Sequence, residues 1–272
     1  MESLTDQLAA LSHPARLAVF RLLVRRCPDA LPAGEIAEVL GLKSSTLSVY
    51  LATLTRAGLI SQTRQGTSLR YALDTGAAQG LMRDLFLDCC RGRPDLWPPL
   101  AGPLEATHRH NVLFLCTGNS ARSIMAEALL RHIAGARLIA YSAGTHPNAE
   151  VNPRVLDLLR TKGIATKGLH PKPLETFQGP EAPRFDFVFT VCDRAANEDC
   201  PTWQDQPISA HWGLPDPAGV QGTEAERSLA FHQTYAMMHQ RISGFAALPL
   251  DALDRVSLQT SVDDIGRIKE TT

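Results

Sequence analysis

No apolar run in these 272 residues approaches the length of a membrane span, and the start Met1-Glu2-Ser3-Leu4-Thr5-Asp6 has neither the basic nor the apolar segment of a secretory leader. The expected compartment is therefore the cytoplasm, with no membrane partner. No excess charge of either sign is present: the formal net charge is -1, with 11 Lys/Arg against 10 Asp/Glu in residues 1–108 and 16 against 18 in the rest. Bulk electrostatics thus single out no partner. Cysteine is scarce, six residues in all, and a cytoplasmic chain of this length needs no disulfide staples. Each thiol (Cys27, Cys89, Cys90, Cys116, Cys192, Cys200) is accordingly read for nucleophilic, redox or metal chemistry before structural bridging.

With 44% hydrophobic and 20% charged residues, the chain can bury a sizeable core and is expected to form two domains. Residues 3 to about 91 read as four or five short helices and one hairpin, punctuated at Pro14, Pro32, Gly41 and Gly58. Ile36, Val39 and Leu40 share a helical face, and Gly41-Leu42-Lys43 makes a tight turn. Ser44 or Ser45 can cap a second helix, on which Leu47, Leu51 and Leu54 recur at i, i+4, i+7. This is helix-turn-helix spacing. Leu59–Leu73 alternates around Gln65-Gly66, which predicts a two-stranded wing. Residues 74–91 read as helical. Four prolines between Gly92 and Pro103 exclude a continuing helix, so 92–109 is expected to be a linker.

From residue 110 strands and helices alternate, which predicts a parallel sheet covered by helices. Val112–Leu115, Leu138–Tyr141 and Phe185–Val191 read as strands, and Ser123–Ala134, a segment starting at Asn152-Pro153, and 223–245 as helices. The first strand runs into Cys116-Thr117-Gly118-Asn119-Ser120-Ala121-Arg122-Ser123 and then a helix. Successive backbone N–H groups and a helix N-terminus at that junction suit one tetrahedral anion, and the same field is expected to lower the Cys116 thiol pKa. Arg122 would close the ring as a bidentate donor to two oxygens. A buried structural cysteine before an incidental glycine turn is the plainer alternative.

These residues resemble the low-molecular-weight phosphotyrosine phosphatase superfamily and, within it, the thiol-coupled arsenate reductases, over about residues 110–248. The reductase-like features are the nucleophile loop, Ile124-Met-Ala-Glu127, Tyr141-Ser-Ala-Gly-Thr145, Val191-Cys192…Cys200-Pro201 and His211-Trp-Gly-Leu-Pro-Asp-Pro-Ala-Gly219. Ile124 and Ala218 stand where the phosphatases usually carry proline and tyrosine, which points away from aryl phosphates. Ala121 replaces a loop cysteine that many of the reductases carry, and seven residues separate Cys192 from Cys200.

The resemblance implies that Cys116 attacks arsenate held by residues 117–123, with Asp216 as general acid. It further implies that Cys192 displaces arsenite to leave a Cys116–Cys192 disulfide, and that Cys200 takes it over. No cofactor is tightly bound on this reading; an external thiol reductant protein of thioredoxin or glutaredoxin/glutathione type closes the cycle. Asp216 also suits an Asx-Pro turn, and His211 and Trp212 read as packing residues.

Residues 3–91, with Leu11-Ser-His-Pro-Ala-Arg-Leu17 ahead of the helix-turn-helix, resemble the ArsR family of dimeric metalloid-responsive repressors. The resemblance implies a homodimer on operator DNA, with Ser44, Ser45, Thr46, Ser48 and Tyr50 facing the major groove and Lys43, Arg64 and Arg70 on phosphates. Cys89 and Cys90 resemble a trivalent-arsenic sensor, with Cys27 or a partner-chain thiol as third ligand and arsenite as inducer.

The expected architecture is an all-α/winged-helix domain at 1–91, a linker at 92–109, an α/β domain of low-molecular-weight phosphatase fold at 110–248 and a tail at 249–272 to which the sequence assigns no role. The expected function is arsenate reduction coupled to arsenite-responsive repression. Two rivals stand beside it: a protein-tyrosine phosphatase with a DNA-binding appendage, and an anion-sensing regulator without turnover.

Overall fold

Helix α1 (Leu4–Leu11) stops short of Pro14, whose missing N–H suits the first turn of α2 (Pro14–Arg25); the His13 ring caps that turn by accepting the Ala15 N–H at 3.2 Å. The computed structural model describes residues 4–91, 93, 96, 109–135, 137–179, 181–198, 203 and 206–268. Two units emerge, Met1–Leu100 and Ala101–Thr272. Most of the 92–109 segment lies outside the described residues, as do Cys200 and Pro201.

In the first unit a short strand β1 (Leu31–Pro32) leads into α3 (Ala33–Leu40), which Gly41 ends in the left-handed region at φ 61°. Helix α4 (Ser44–Arg56) follows, and its Leu47, Leu51 and Leu54 are buried with Ile36, Leu22 and Leu23 in one core. The N-cap of α4 is Lys43, with no side chain capping the helix; Ser44 and Ser45 lie inside its first turn, so the helix starts at least one residue earlier than the sequence suggested. Strands β2 (Ile60–Gln65) and β3 (Ser68–Leu73) form the wing, and β1 pairs on the other side of β3. Helix α5 (Thr75–Asp84) starts at an Asp74 cap and runs into a turn of π-helix, Leu85–Cys89.

In the second unit β4 (His110–Cys116), α6 (Arg122–Ala134), β5 (Leu138–Gly144), α7 (Pro153–Thr161), β6 (Phe187–Thr190), α8 (Asp193–Asn197) and β7 (Ile208–His211) precede the long helix α9 (Glu224–Ala246) and α10 (Arg255–Gly266). The sheet is parallel, in the order β5-β4-β6-β7. Val112, Leu113, Phe114 and Leu115 of β4 are all inaccessible to solvent, as expected of a strand covered on both faces. Side chains alternate: Val112 and Phe114 meet α6, α9 and α10, whereas Leu113 and Leu115 meet Leu174, Phe177, Phe185 and Val188. Because β5 pairs on one side of β4 and β6 on the other, the strand order reverses at β4. Ligand crevices in open α/β sheets form beyond the carboxyl ends of strands at such a point, and Cys116 stands there.

The end of the described chain belongs to this core. Leu258, Val262 and Ile265 of α10 are buried in it, and the Val262 carbonyl accepts the Trp212 indole N–H at 2.9 Å. Trp212 is fully buried and stacks on Phe189 with ring centroids 4.0 Å apart. Gly266 is required here, since a Cβ would stand 2.9 Å from both the His211 carbonyl and Trp212 Cδ1. Leu258→Ala should lower the stability of this unit by about 2–5 kcal/mol in urea unfolding followed by tryptophan fluorescence. A loss below about 1 kcal/mol would mean that α10 is not part of the core.

Candidate active site

The loop between β4 and α6 is held by its carbonyls. Those of Thr117, Gly118 and Ser120 accept the N–H groups of His146, Asn148 and Asn152 at 2.9, 2.8 and 3.0 Å. A trans peptide sets its N–H opposite its C=O, so the amides of Gly118, Asn119 and Ala121 are turned the other way, into the bend. The Asn119 N–H lies 3.1 Å from Cys116 Sγ. Gly144, at the end of β5, permits the approach: a Cβ there would be 2.6 Å from the Thr117 oxygen.

Asn119 is not glycine yet has φ 43°, a left-handed conformation that costs on the order of 1 kcal/mol and needs outside support. Its side chain supplies that support. Nδ2 donates to Ser123 Oγ (2.8 Å) and Ser142 Oγ (2.9 Å), and Oδ1 accepts the Lys172 N–H at 2.7 Å. Ser142 donates in turn to Glu127, a fully buried carboxylate that Lys172 Nζ (3.1 Å) and Arg131 neutralise. A buried carboxylate without such partners would be strongly destabilising. Ser123 accepts from Asn119 and so has its own hydroxyl hydrogen free for Cys116 Sγ, 2.9 Å away.

Cys116 is buried, and its thiol is pushed up from the ordinary value, first by that burial and then by the neighbouring Cys192 sulfur. The Ser123 hydroxyl and the N–H groups of Ser123 and Asn119 pull it down by less. This corrects the sequence expectation of a lowered pKa: desolvation outweighs the few donors that act on the sulfur.

Arg122 is largely buried, with Nη1 donating to the Leu214 carbonyl (2.9 Å) and Nη2 3.3 Å from Asp216 Oδ2. Asp216 is half exposed, and its other oxygen accepts the Ala218 N–H at 3.2 Å, so the Asx-Pro turn and an acid beside the loop coexist. Cys192 follows β6 and caps α8, its sulfur accepting the Ala195 N–H at 3.4 Å. Thr117 Oγ1, within the loop, lies 3.5 Å from the same sulfur. Cys116, Arg122, Asp216 and Cys192 are therefore brought together, while Cys200 lies outside the described residues. Sequence reasoning missed Glu127, Ser142 and Lys172 as loop supports. A glutamate inside the apolar run of α6 was the legible signal; Lys172, 45 residues further on, gave none.

In the first unit Lys43, Ser44, Ser45, Ser48 and Arg64 are exposed, and Thr46 and Tyr50 partly buried. Arg70 is turned away from the role assigned to it: its Nε and Nη2 donate to the Ala30 carbonyl at 3.0 and 2.7 Å. Among the described residues, the sulfurs of Cys27, Cys89 and Cys90 do not gather within 4.8 Å of one another. Cys27 follows α2, and the other two lie at the end of the helix after α5. No helix among the described residues is long and apolar enough to cross a membrane.

The family model described as low molecular weight phosphotyrosine protein phosphatase matches residues 111–257, and a helix-turn-helix domain model matches residues 11–63. An arsenate reductase of Oceanobacillus iheyensis is 35% identical over 135 residues, covering 50% of this chain and 94% of the relative. The arsenate reductase of Bacillus subtilis is 33% identical over the same length and shares. Among solved structures, an arsenate reductase from Archaeoglobus fulgidus aligns at 29% identity with a TM-score of 0.42, covering 50% of this chain and 99% of that one.

Alkylation of Cys116 by iodoacetamide should keep accelerating as pH rises past the ordinary thiol range, and Ser123→Ala should move that rise to still higher pH. A rate that levels off below neutrality, or one indifferent to Ser123, would contradict this electrostatic account.

Proposed function

Since the chain belongs to the low molecular weight phosphotyrosine protein phosphatase family, and its second unit is similar to arsenate reductases along nearly their whole length, we propose that this unit reduces arsenate to arsenite with its own thiols. One observation carries the choice of reductase over phosphatase: a second buried thiol, Cys192, reaches the nucleophile loop through the Thr117 hydroxyl. Ester hydrolysis needs only the first thiol. Two-electron reduction needs a second thiol, and Cys192 supplies one from the same chain.

Arsenate is held by the inward amides of residues 117–123 and by Arg122. The Cys116 sulfur attacks arsenic, an S–As bond forms and an As–OH bond breaks, the hydroxyl leaving as water with a proton from Asp216. The proton lost by the Cys116 thiol restores the Asp216 acid, so no net proton is required. Cys192 then attacks Cys116 Sγ. The S–S bond forms as the S–As bond breaks, its electron pair stays on arsenic, taking As(V) to As(III), and the Cys192 thiol proton passes to the departing arsenite. Cys200 exchanges into this disulfide, and an external dithiol or glutathione-type reductant supplies the two electrons that restore the thiols.

For the first unit we propose operator binding by a homodimer, with α4 in the major groove. Lys43, Ser44, Ser45, Ser48 and Arg64 support this by their exposure, Thr46 and Tyr50 lie on the same helix, and Arg70 is withdrawn from the set. Arsenite made by the second unit is the proposed inducer. It would bind Cys89 and Cys90 together with Cys27 or a thiol of the second chain, since soft thiolates suit trivalent arsenic.

Arsenate added to the reduced protein should produce a Cys116–Cys192 disulfide detectable by mass spectrometry, and turnover should require a thioredoxin or glutaredoxin system. Cys116→Ser should abolish turnover, whereas Cys192→Ser should block it after the first step. Aryl phosphate hydrolysis by Cys192→Ser, with no arsenate-dependent thiol oxidation in the native protein, would replace the reductase reading with the phosphatase one.

A further inference from the structure

His211 lies at the end of the edge strand β7, its side chain inaccessible to solvent, and uses both ring nitrogens. Nδ1 is 2.8 Å from Thr190 Oγ1 on β6, and Nε2 is 3.0 Å from Asp193 Oδ1. Asp193 is the first residue of α8, and its side chain is 58% exposed. A buried imidazole reaching out to fix an exposed carboxylate adds little to stability. Gly213 leaves room for the contact: a Cβ there would stand 2.6 Å from His211 Nε2 and 2.7 Å from Asp193 Oδ1, so any side chain would push the pair apart.

The anchored element is the one that carries the second thiol. Helix α8 has five residues, too few to hold its shape without outside contacts. Cys192 is its N-cap, immediately before Asp193. The segment leaving His211 also reaches the oxyanion loop, because the Leu214 carbonyl and Asp216 both contact Arg122. One short stretch, 211–216, therefore spans from the Cys192 helix to the loop arginine.

We propose that His211 is a positioning residue for Cys192: by clamping Asp193 it fixes the start of α8, so that the Cys192 sulfur stays capped on the Ala195 N–H and beside Thr117 of the nucleophile loop. His211 itself touches no reacting atom. The inference rests on the reductase reading for its chemical consequence, since misplacing a nucleophile by about 1 Å can cost a hundredfold in rate.

The test uses the full-length protein with His211→Gln, Asp193→Ala and the double substitution; Asp193, being exposed, provides a variant that spares the core. In single turnover with arsenate, the Cys116–Cys192 disulfide should form about tenfold more slowly in each single variant and no more slowly in the double. Protection of Cys116 from alkylation by inorganic phosphate should be unchanged, because the loop is intact. In a Cys116→Ser background, iodoacetamide labelling of Cys192 should change severalfold in both single variants. Unchanged disulfide formation, unchanged Cys192 labelling, or loss of phosphate protection in both variants would each overturn the proposal. If the native protein forms no disulfide with arsenate, the reductase reading fails, and the Cys192 labelling alone decides whether the clamp exists.

Discussion

The five residues between β4 and α6 must bend tightly enough to present amides on one side, and the backbone achieves this only because its carbonyls are taken up on the other. The hydrogen bonds from His146, Asn148 and Asn152 do that work, and they depend on β5 lying directly beside β4. Nearly everything else in the site is subordinate to this bend. Asn119 tolerates a left-handed backbone because three neighbours saturate its amide, and Ser123 is free to serve the thiol because Asn119 serves Ser123. The buried pair of Glu127 and Lys172 extends this chain of donors and acceptors away from the sulfur, so that the nucleophile is oriented by groups that never meet a ligand.

The sulfur at the centre is less acidic than the motif implied. Burial dominates, and a second thiol nearby adds to it. The two features belong together, since a dry site strengthens every interaction with a bound oxyanion while it penalises a bare thiolate. A buried thiol pushed up from its ordinary value is also less open to indiscriminate oxidation, which follows thiolate character and exposure.

Short-range signals carried much of the architecture. The i, i+4, i+7 leucines of α4, the Gln65-Gly66 turn, the Asn152-Pro153 helix start and the apolar run of β4 are each written within a few residues, and the elements form there. What escaped depends on distant partners. The four residues of β7 and five of α8 are too short for a period to register, and they exist because β6 and His211 hold them. The pattern Leu258, Val262, Ile265 was helical at i, i+4, i+7, but its meaning lay in Trp212, some fifty residues earlier. The nucleophile loop and Arg122 lie within one short segment and could be read there, whereas Asp216 and Cys192 entered through the family resemblance, and the fold sets both beside the loop. Lys172 and the His211–Asp193 contact were not legible, because only the fold brings them to their partners. Arg70 illustrates the converse: a cation in a wing reads as a phosphate contact until a carbonyl forty residues away is seen to occupy it.

Helix α10 has one more effect. Strand β7 is the last in its sheet, with a row of backbone groups that lack a neighbouring strand. Gln259 Nε2 takes up the Ser209 carbonyl at 2.7 Å, and the Arg255 guanidinium reaches the Gln206 carbonyl. Exposed sheet borders are templates on which other chains add strands and precipitate. By laying a helix along this border and spending two of its side chains on the border's own acceptors, the molecule denies that template to its neighbours at high concentration.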